Sequence, residues 1–445
     1  MDTFGQLLRK IEDKSAKICV MGLGYVGLPL VMEFCEAGFF VYGFDVSDRK
    51  VKLLLSGESD VDDIPSERVK KQIDIGKFAP TTDPSVIDSC DVVLICVPTP
   101  LSATKEPDMS YIKSAVETLM SHSHKGMLVI LESTTYPGTT REFIAQPFEK
   151  AGFVVGEDVF VAFSPERVDP GNKKWHTGNT PKVVGGVTQR CTQIASALYL
   201  TFLPKVIPVS SSESAEMVKL LENTFRSVNI ALVNEIAMIC EKLGLDVWEI
   251  IRAAATKPFG FMPFYPGPGV GGHCIPIDPH YLSWKMRSMN FYAHFIELAG
   301  EINYGMPARV VEGVIKHLNR KKKALNGADI LVLGVAYKKD ISDLRESPAL
   351  KIIRLLLNYG ANIIYNDPHI ESISIEGKTL NSAELSEELL RSVDLVLLTT
   401  DHSSYDYEWI AKNAELIYDT RNAFDGIGDS EGKIARLGVG DFGFQ

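Results

Sequence analysis

Residues 17–27 read Lys-Ile-Cys-Val-Met-Gly-Leu-Gly-Tyr-Val-Gly, a short apolar run that leads directly into three closely spaced glycines. A run of this kind is buried as a parallel strand, and few folds place such a turn immediately behind one. Gly22, Gly24 and Gly27 permit a tight turn, close approach of a pyrophosphate, and tight packing of a helix on the strand. Tyr25 and Val26 complete the turn, and the pattern Leu-Pro-Leu-Val-Met-Glu-Phe-Cys-Glu-Ala-Gly that follows is helical. The free N–H groups at that helix start would face phosphates. A second strand pattern ends at Asp45, about 20 residues beyond the glycines, where an acid accepts the ribose hydroxyls of an adenosine. That acid favours NAD over NADP. Arg49 is the kind of residue a 2'-phosphate site would use; packing on the adenine or pairing with the NAD pyrophosphate is the role read for it here.

Alternation of strand and helix patterns continues. Residues 91–100 form a strand running out at Thr99, 126–140 another ending at Ser133-Thr134, and 158–171 deliver Glu166 just past a third. Residues 182–186 and 205–210 add further strands, and the carboxyl ends of such strands are where open α/β sheets bind ligands. From Ser211 to about Leu243 apolar residues recur three and four apart, longer than a usual globular helix. Lys219 and Asn223 share one face of it. Asp246 caps another helix, 281–303 is helical again, and 307–319 follows. Four more strand patterns, at 328–340, 361–368, 392–402 and 414–422, predict a second parallel-sheet domain. Its first loop carries Lys338, Lys339 and Arg345, cations that can hold phosphate or carboxylate. The expected fold is α/β: two Rossmann-like doubly wound parallel-sheet domains joined by a long central helix and a helical middle domain. The expected boundaries are 1–210, 211–319 and 320–445.

A chain of 445 residues needs more than one core. Its net charge of −11 argues against nonspecific nucleic-acid binding. The basic run Arg320-Lys321-Lys322-Lys323 reads as a solvated segment between domains. No stretch approaches the roughly 20 consecutive apolar residues of a membrane span. The first 17 residues read as a short amphipathic helix bearing Phe4, Leu7, Leu8 and Ile11, not as a secretory signal. Seven cysteines without CxxC spacing suit a reducing compartment, so a cytoplasmic protein is expected. Six of them read as buried hydrophobes. The histidines outside the Cys274 loop, His402 among them, read as surface or packing residues.

The seventh cysteine stands in Tyr-Pro-Gly-Pro-Gly-Val-Gly-Gly-His-Cys-Ile-Pro-Ile-Asp-Pro-His-Tyr-Leu, residues 265–282, where no regular element is expected. A flexible loop that places Cys274 four residues before Asp278 suggests a nucleophile with an acidic neighbour. His273 is a conceivable base for the thiol, although adjacent side chains point apart. A zinc site from His273, Cys274, Asp278 and His280 is also conceivable, but the segment lacks the paired spacing of such sites, and no metal is expected.

GLGYVGLP, the Ser-Pro-Glu-Arg segment, the ExxKLLENTFR stretch and GVGGHCIPIDP, in this order, resemble the UDP-sugar 6-dehydrogenase family over nearly the whole chain. The version GPGVGGHCIPIDPHYL resembles the N-acetylhexosamine branch. The resemblance implies four-electron oxidation of a sugar C6 hydroxymethyl by two NAD, with Cys274 as nucleophile. Lys219, Asn223 and Asp278 would surround the reacting oxygen, and Glu166 and Thr134 would position and activate water. NAD contacts are implied for Gly22, Gly24, Tyr25, Val26, Gly27, Asp45, Arg49, Thr99, Thr134 and Arg345. Substrate contacts are implied for Glu166, Arg167, Lys219, Asn223, Tyr265, Gly271, Lys338 and Arg421. The second α/β domain would bind UDP, and the long helix would form the core of a homodimer or higher homo-oligomer. UDP-N-acetylglucosamine is the leading substrate, followed by UDP-N-acetylmannosamine; UDP-glucose and UDP-N-acetylgalactosamine stay open. The product would serve surface polysaccharide synthesis. Rival readings are a one-step alcohol dehydrogenase, with one NADH per substrate, and a nucleotide-sensing protein that reduces no NAD. A 3-hydroxyacid or 6-phosphogluconate-type dehydrogenase would need no second α/β domain.

Overall fold

The computed structural model of the chain describes residues 2–102, 106–169, 171–172, 174–272, 274–429 and 432–440. Two compact units are resolved, Met1–Glu222 with His280–Phe291, and Asn223–Pro279 with Tyr292–Gln445.

The first unit is built on β1 (Lys17–Met21), β2 (Phe40–Phe44), β3 (Phe78–Thr81), β4 (Val92–Ile95), β5 (Leu128–Leu131), β6 (Phe160–Phe163), β7 (Lys182–Gly186) and β8 (Val206–Pro208). They form one sheet in the order β3-β2-β1-β4-β5-β6-β7-β8. Strands β1, β4, β5 and β6 are apolar runs without alternation because helices cover both faces of the sheet. Ile18, Val20, Val92, Leu94 and Ile130 are fully buried there. The order reverses between β1 and β4, which opens a crevice at their carboxyl ends. One pair departs from the expected parallel sheet: β6 and β7 run antiparallel, and the described residues of the 164–181 connection form no crossover helix. Strand β3, too short and too interrupted by Pro80 to stand out in the sequence, extends the far edge. The amphipathic N-terminal helix, Thr3–Glu12, buries Leu7 and Ile11 in this core, with Phe4 and Leu8 packed beside them.

The helix Ser212–Leu243, 32 residues long, carries the chain into the second unit. Asp246 caps the helix Val247–Ala255, its carboxylate accepting from the N–H groups of Trp248 and Glu249. Two expectations fail in the middle of the chain. The glycine- and proline-rich loop ends earlier than expected, because a regular helix, Asp278–Arg287, begins at its acid. Residues 281–303 and 307–319 read as two successive helices, yet the helices are Asp278–Arg287 and His294–Arg320, the second with Pro307 inside it. An interior proline costs about 3 kcal/mol. Here Met306, Pro307, Val310, Val311, Val314 and Leu318 are all buried, and that packing outweighs the lost hydrogen bond.

The second unit ends in β9 (Asp329–Leu333), β10 (Asn362–Asn366), β11 (Ser372–Ile375), β12 (Lys378–Asn381), β13 (Leu395–Leu398), β14 (Ile417–Asp419) and β15 (Ile434–Arg436). Five make a wholly parallel sheet, β10-β9-β13-β14-β15, again with an order reversal, here between β9 and β13. The antiparallel β11–β12 hairpin and the edge strand β15 were not foreseen. Among the described residues no helix is long and apolar enough to cross a membrane.

Candidate active site

In the first unit the glycine turn has three different reasons for its glycines. Gly22 sits at φ +92°, and a Cβ there would stand 2.7 Å from the Cys96 carbonyl oxygen. A Cβ on Gly27 would stand 1.9 Å from the Gly22 carbonyl oxygen, so only glycine lets the helix Gly27–Glu36 begin so close to β1. Gly24 faces open space, with nothing within 4 Å of a Cβ position, as close approach of a phosphate requires. Val26 is the N-cap residue of that helix, and Tyr25 packs part-buried against the core. Asp45, directly after β2, accepts from the N–H of Leu23 and of Ser47, 2.9 Å each, which ties its carboxylate to the glycine turn. An open glycine rim with a fixed acid beside it fits the pyrophosphate and ribose of NAD. Arg49 is exposed in the helix Asp48–Leu55. Thr99 follows β4, its carbonyl accepting from the Tyr281 hydroxyl at 2.8 Å; Thr134 follows β5.

Past β6 the chain delivers Glu166, which is 6% exposed. Its carboxylate accepts from the N–H of Val168. Lys219, 5% exposed on the long helix, donates to the Glu166 carbonyl at 2.6 Å, and its ammonium lies 3.6 Å from the Glu166 carboxylate. Arg167 instead braces the segment, donating to Pro181 O at 2.7 Å and to Glu222 at 2.5 Å. Three residues before Lys219, Glu216 accepts from Gly138 N–H, Thr140 N–H and the Thr140 hydroxyl, anchoring the loop that follows Thr134. Burial pushes the Glu216 carboxyl up to about 7 despite these bonds.

In the second unit the Cys274 carbonyl accepts from the N–H of Asp278 at 2.8 Å, forming a turn that runs into the helix Asp278–Arg287. The Asp278 carboxylate is buried and accepts from the Asn223 amide at 2.5 Å; Asn223 stands four residues beyond Lys219 on the long helix. Cys274 is partly exposed, whereas Cys19, Cys35, Cys90, Cys96, Cys191 and Cys240 are buried. His273, the conceivable thiol base and zinc ligand, lies outside the described residues. The loop is pinned by its glycines. A Cβ on Gly271 would stand 2.6 Å from the Tyr337 Cβ, and Gly272 N–H donates to the Arg345 carbonyl at 2.9 Å. Tyr265 stacks on Trp248 at 6.1 Å, and a Cβ on Gly267 would meet the Arg421 guanidinium at 2.8 Å. Arg421 donates to Thr399 O at 2.8 Å, at the carboxyl edge of the sheet. Lys338 is part-buried in the loop after β9, and Arg345 is exposed there and paired in a fork with Asp343.

Two buried side-chain groups lie outside the expected site. One is a buried ion pair, Glu132 with Lys182, 2.7 Å apart; the Glu immediately before Ser133-Thr134 was its only sign. The other is His402, fully buried, whose Nε2 faces the Asp367 carboxylate at 3.1 Å while Nδ1 accepts from Asp340 N–H at 3.0 Å. With Asp340 and His369 it forms the one potential metal-ligand cluster found among the described residues. Both of its ring nitrogens are already engaged, so the group reads as a fold-fixing network at the sheet edge, in keeping with a packing histidine.

Comparison with known proteins matches three consecutive models of the UDP-glucose/GDP-mannose dehydrogenase family: the NAD binding domain at residues 16–203, the central domain at 213–305 and the UDP binding domain at 331–426. A UDP-N-acetyl-D-mannosamine dehydrogenase of Methanococcus maripaludis is 34% identical over 423 residues, covering 92% of this chain and 93% of the relative. A UDP-N-acetyl-D-glucosamine 6-dehydrogenase of Pseudomonas aeruginosa is 35% identical over 361 residues, covering 81% and 84%. The solved UDP-D-ManNAc dehydrogenase of Pyrococcus horikoshii superposes with a TM-score of 0.87 at 34% identity, over 96% of this chain and 100% of that one. With a glycine turn and acid that fit NAD, and with all three domain models matched in order, this chain belongs to the UDP-glucose/GDP-mannose dehydrogenase family and is an NAD-dependent nucleotide-sugar dehydrogenase.

Proposed function

We propose that the chain oxidises the C6 hydroxymethyl of a UDP-N-acetylhexosamine to a carboxylate in two NAD-dependent steps, through an ester of the Cys274 thiol. UDP-N-acetylglucosamine is the first candidate. Its C2 epimer, UDP-N-acetylmannosamine, is the second, favoured by the names of most of the relatives reported in comparison. In this reading residues 1–210 hold NAD, 211–319 supply the thiol loop and a dimer contact, and 320–445 hold the UDP portion, with Lys338 and Arg421 among its contacts.

The observation that carries the reading is the setting of the thiol. Cys274 is the partly exposed cysteine, and its turn ends on a buried carboxylate held by Asn223. NAD, when bound, supplies the hydride acceptor for each oxidation. The Asp278 carboxylate, directly or through water, takes up the hydroxyl proton, and the Lys219 ammonium stabilises the oxygen as negative charge grows on it, which favours the transition state over the neutral alcohol. The aldehyde has no hydroxyl from which a second hydride can be expelled. Attack by the Cys274 thiolate gives a thiohemiacetal whose carbon again bears both hydrogen and oxygen, and its oxidation leaves a thioester. Glu166, with Thr134 orienting the water, then takes a proton from water as the C–O bond forms and the C–S bond breaks.

The test is a panel of UDP-sugars scored for NADH per mole of sugar consumed. Two per sugar, with one sugar clearly preferred, is the expected result. One per sugar would reduce the activity to a simple alcohol dehydrogenase, and unchanged turnover in Cys274→Ser would remove the covalent step.

A further inference from the structure

Behind Glu166 lies the ion pair that the chemistry above does not use. Glu132, the residue after β5, is wholly buried; Lys182, the first residue of β7, is 8% exposed. Lys182 donates to the Glu132 carboxylate at 2.7 Å and to the Pro165 carbonyl at 3.4 Å. The Tyr199 hydroxyl donates to the other carboxylate oxygen, and its ring lies 5.0 Å from the Lys182 ammonium. Lys219 holds the next carbonyl along, that of Glu166. Two ammonium groups therefore face successive carbonyls on either side of the Glu166 Cα, Lys219 through a short charge-assisted hydrogen bond and Lys182 through a longer, weaker one.

Stability is a weak reason for such a pair. Desolvating both charges costs several kcal/mol, and apolar side chains of similar volume would hold a core as well or better. Its placement is more telling. Glu132, Lys182, Pro165, Glu166 and Arg167 line one cavity, with about 20 Å³ open to the centre of a water molecule. A single water needs about 10–15 Å³ on that measure and two to four polar partners, which these groups provide. The segment bearing Glu166 is thus held rigidly at the wall of a space that admits water.

We propose that Lys182, held in place by Glu132 and Tyr199, is a positioning residue for the hydrolytic half of the reaction, fixing the Pro165–Glu166 peptide so that the Glu166 carboxylate meets the attacking water. The proposal rests on the reading of Glu166 as the hydrolytic base. It assigns no role to the pair in either oxidation, so removing it separates the two halves of the cycle. A misplacement of about 1 Å is worth on the order of 100-fold in rate. Loosening one of the two carbonyl anchors is expected to slow hydrolysis about tenfold.

The experiment uses the full chain with NAD and, in parallel, UDP-N-acetylglucosamine and UDP-N-acetylmannosamine. Lys182→Met, Glu132→Gln and the double variant are followed by rapid-mixing NADH formation and intact mass. The expected result is a burst of two NADH per active site at wild-type rate, then a slowed steady state with the acyl group retained on the protein. The double variant should be no slower than the slower single one, because the residues act as a unit. Tyr199→Phe, which removes one hydrogen bond and no charge, should give a smaller slowing of about threefold and keeps the test available if Lys182→Met does not fold. Folded variants with wild-type steady state and no adduct would overturn the proposal, as would equal slowing of burst and steady state. Glu166→Gln separates the two ideas. If it retains no acyl group, the reading of Glu166 fails. If it does while the Lys182, Glu132 and Tyr199 variants do not, the positioning proposal alone fails.

Discussion

The Lys219 ammonium is anchored 2.6 Å from the Glu166 backbone carbonyl, while the Glu166 carboxylate lies 3.6 Å away. A lysine serving only as a counter-ion would close on the carboxylate. Anchored on the backbone, the Lys219 ammonium is held in place as the charge read above as stabilising the reacting oxygen. Lys219→Met should therefore lower the rate of the first NADH-forming step by roughly 100-fold, the scale for loss of one preorganised donor to a developing oxyanion. NAD affinity should hardly change. Single-turnover absorbance at saturating sugar measures the rate, and an unchanged rate would leave Lys219 a purely structural residue.

Asp45 is tied to the glycine turn by Leu23 N–H, which sets its carboxylate where an adenosine ribose would lie. Asp45→Asn keeps the shape, removes the charge, and puts an amide N–H where an acceptor stood. The Michaelis constant for NAD should rise roughly 10-fold or more, from loss of hydrogen bonds to a charged group worth about 1.5–3 kcal/mol. The penalty against NADP should shrink at the same time. Steady-state kinetics with both cofactors checks it; parallel losses for the two would place the acid elsewhere.

Burial takes the His317 imidazole from 6.5 down to about 4, with Arg320 and Lys316 adding repulsion. Its ring lies 5.1 Å from that of Tyr418, against the second sheet. The folded chain thus keeps this histidine neutral where the unfolded chain protonates it. The unfolded state binds more protons between pH 6.5 and 4, so stability is present above 6.5 and lost as pH falls toward 4. The loss is at most about 3 kcal/mol, since a pKa unit is worth about 1.4 kcal/mol. Thermal melts at pH 7.5 and 5 should show a larger drop for the wild type than for His317→Leu; equal drops would assign the acid sensitivity to other groups.

What the sequence made legible follows from how local each signal is. The turn from Gly22 to Gly27 and the cap at Asp246 are set by residues within one or two turns of each other, and the chemistry of each position shows in its side chain. Lys219 is different: its partner stands 53 residues away, and only the resemblance to a family singled it out. Lys182 and Glu132, 50 residues apart, sit in apolar strand patterns that hide a buried pair. The continuity of His294–Arg320 was hidden because the packing that offsets proline's local cost at Pro307 leaves no mark on the sequence. The β6–β7 reversal was equally invisible, since strand direction depends on the connection and leaves no mark on the strand itself.

The long helix carries one more consequence. Leu221, Phe225, Leu232, Ile239 and Leu243 are 58%, 47%, 52%, 43% and 63% exposed. At about 100° per residue they fall within a stripe some 40° wide, with Lys219 and Asn223 on the opposite side of the cylinder. A continuous exposed apolar stripe of this kind marks a protein contact, and a second copy of the same helix offers it a matching surface. We expect the chain to sediment as a dimer or larger at micromolar concentration. Leu232→Glu, a charge at the centre of the stripe, should shift it toward the monomer. Because the substitution lies away from Lys219 and Asn223, the helical circular dichroism and the hydrogen bond between Asn223 and Asp278 should survive it. A wild-type chain that sediments as a monomer at tens of micromolar would show that the stripe meets some other partner, and an unchanged oligomer in Leu232→Glu would place the contact on another face.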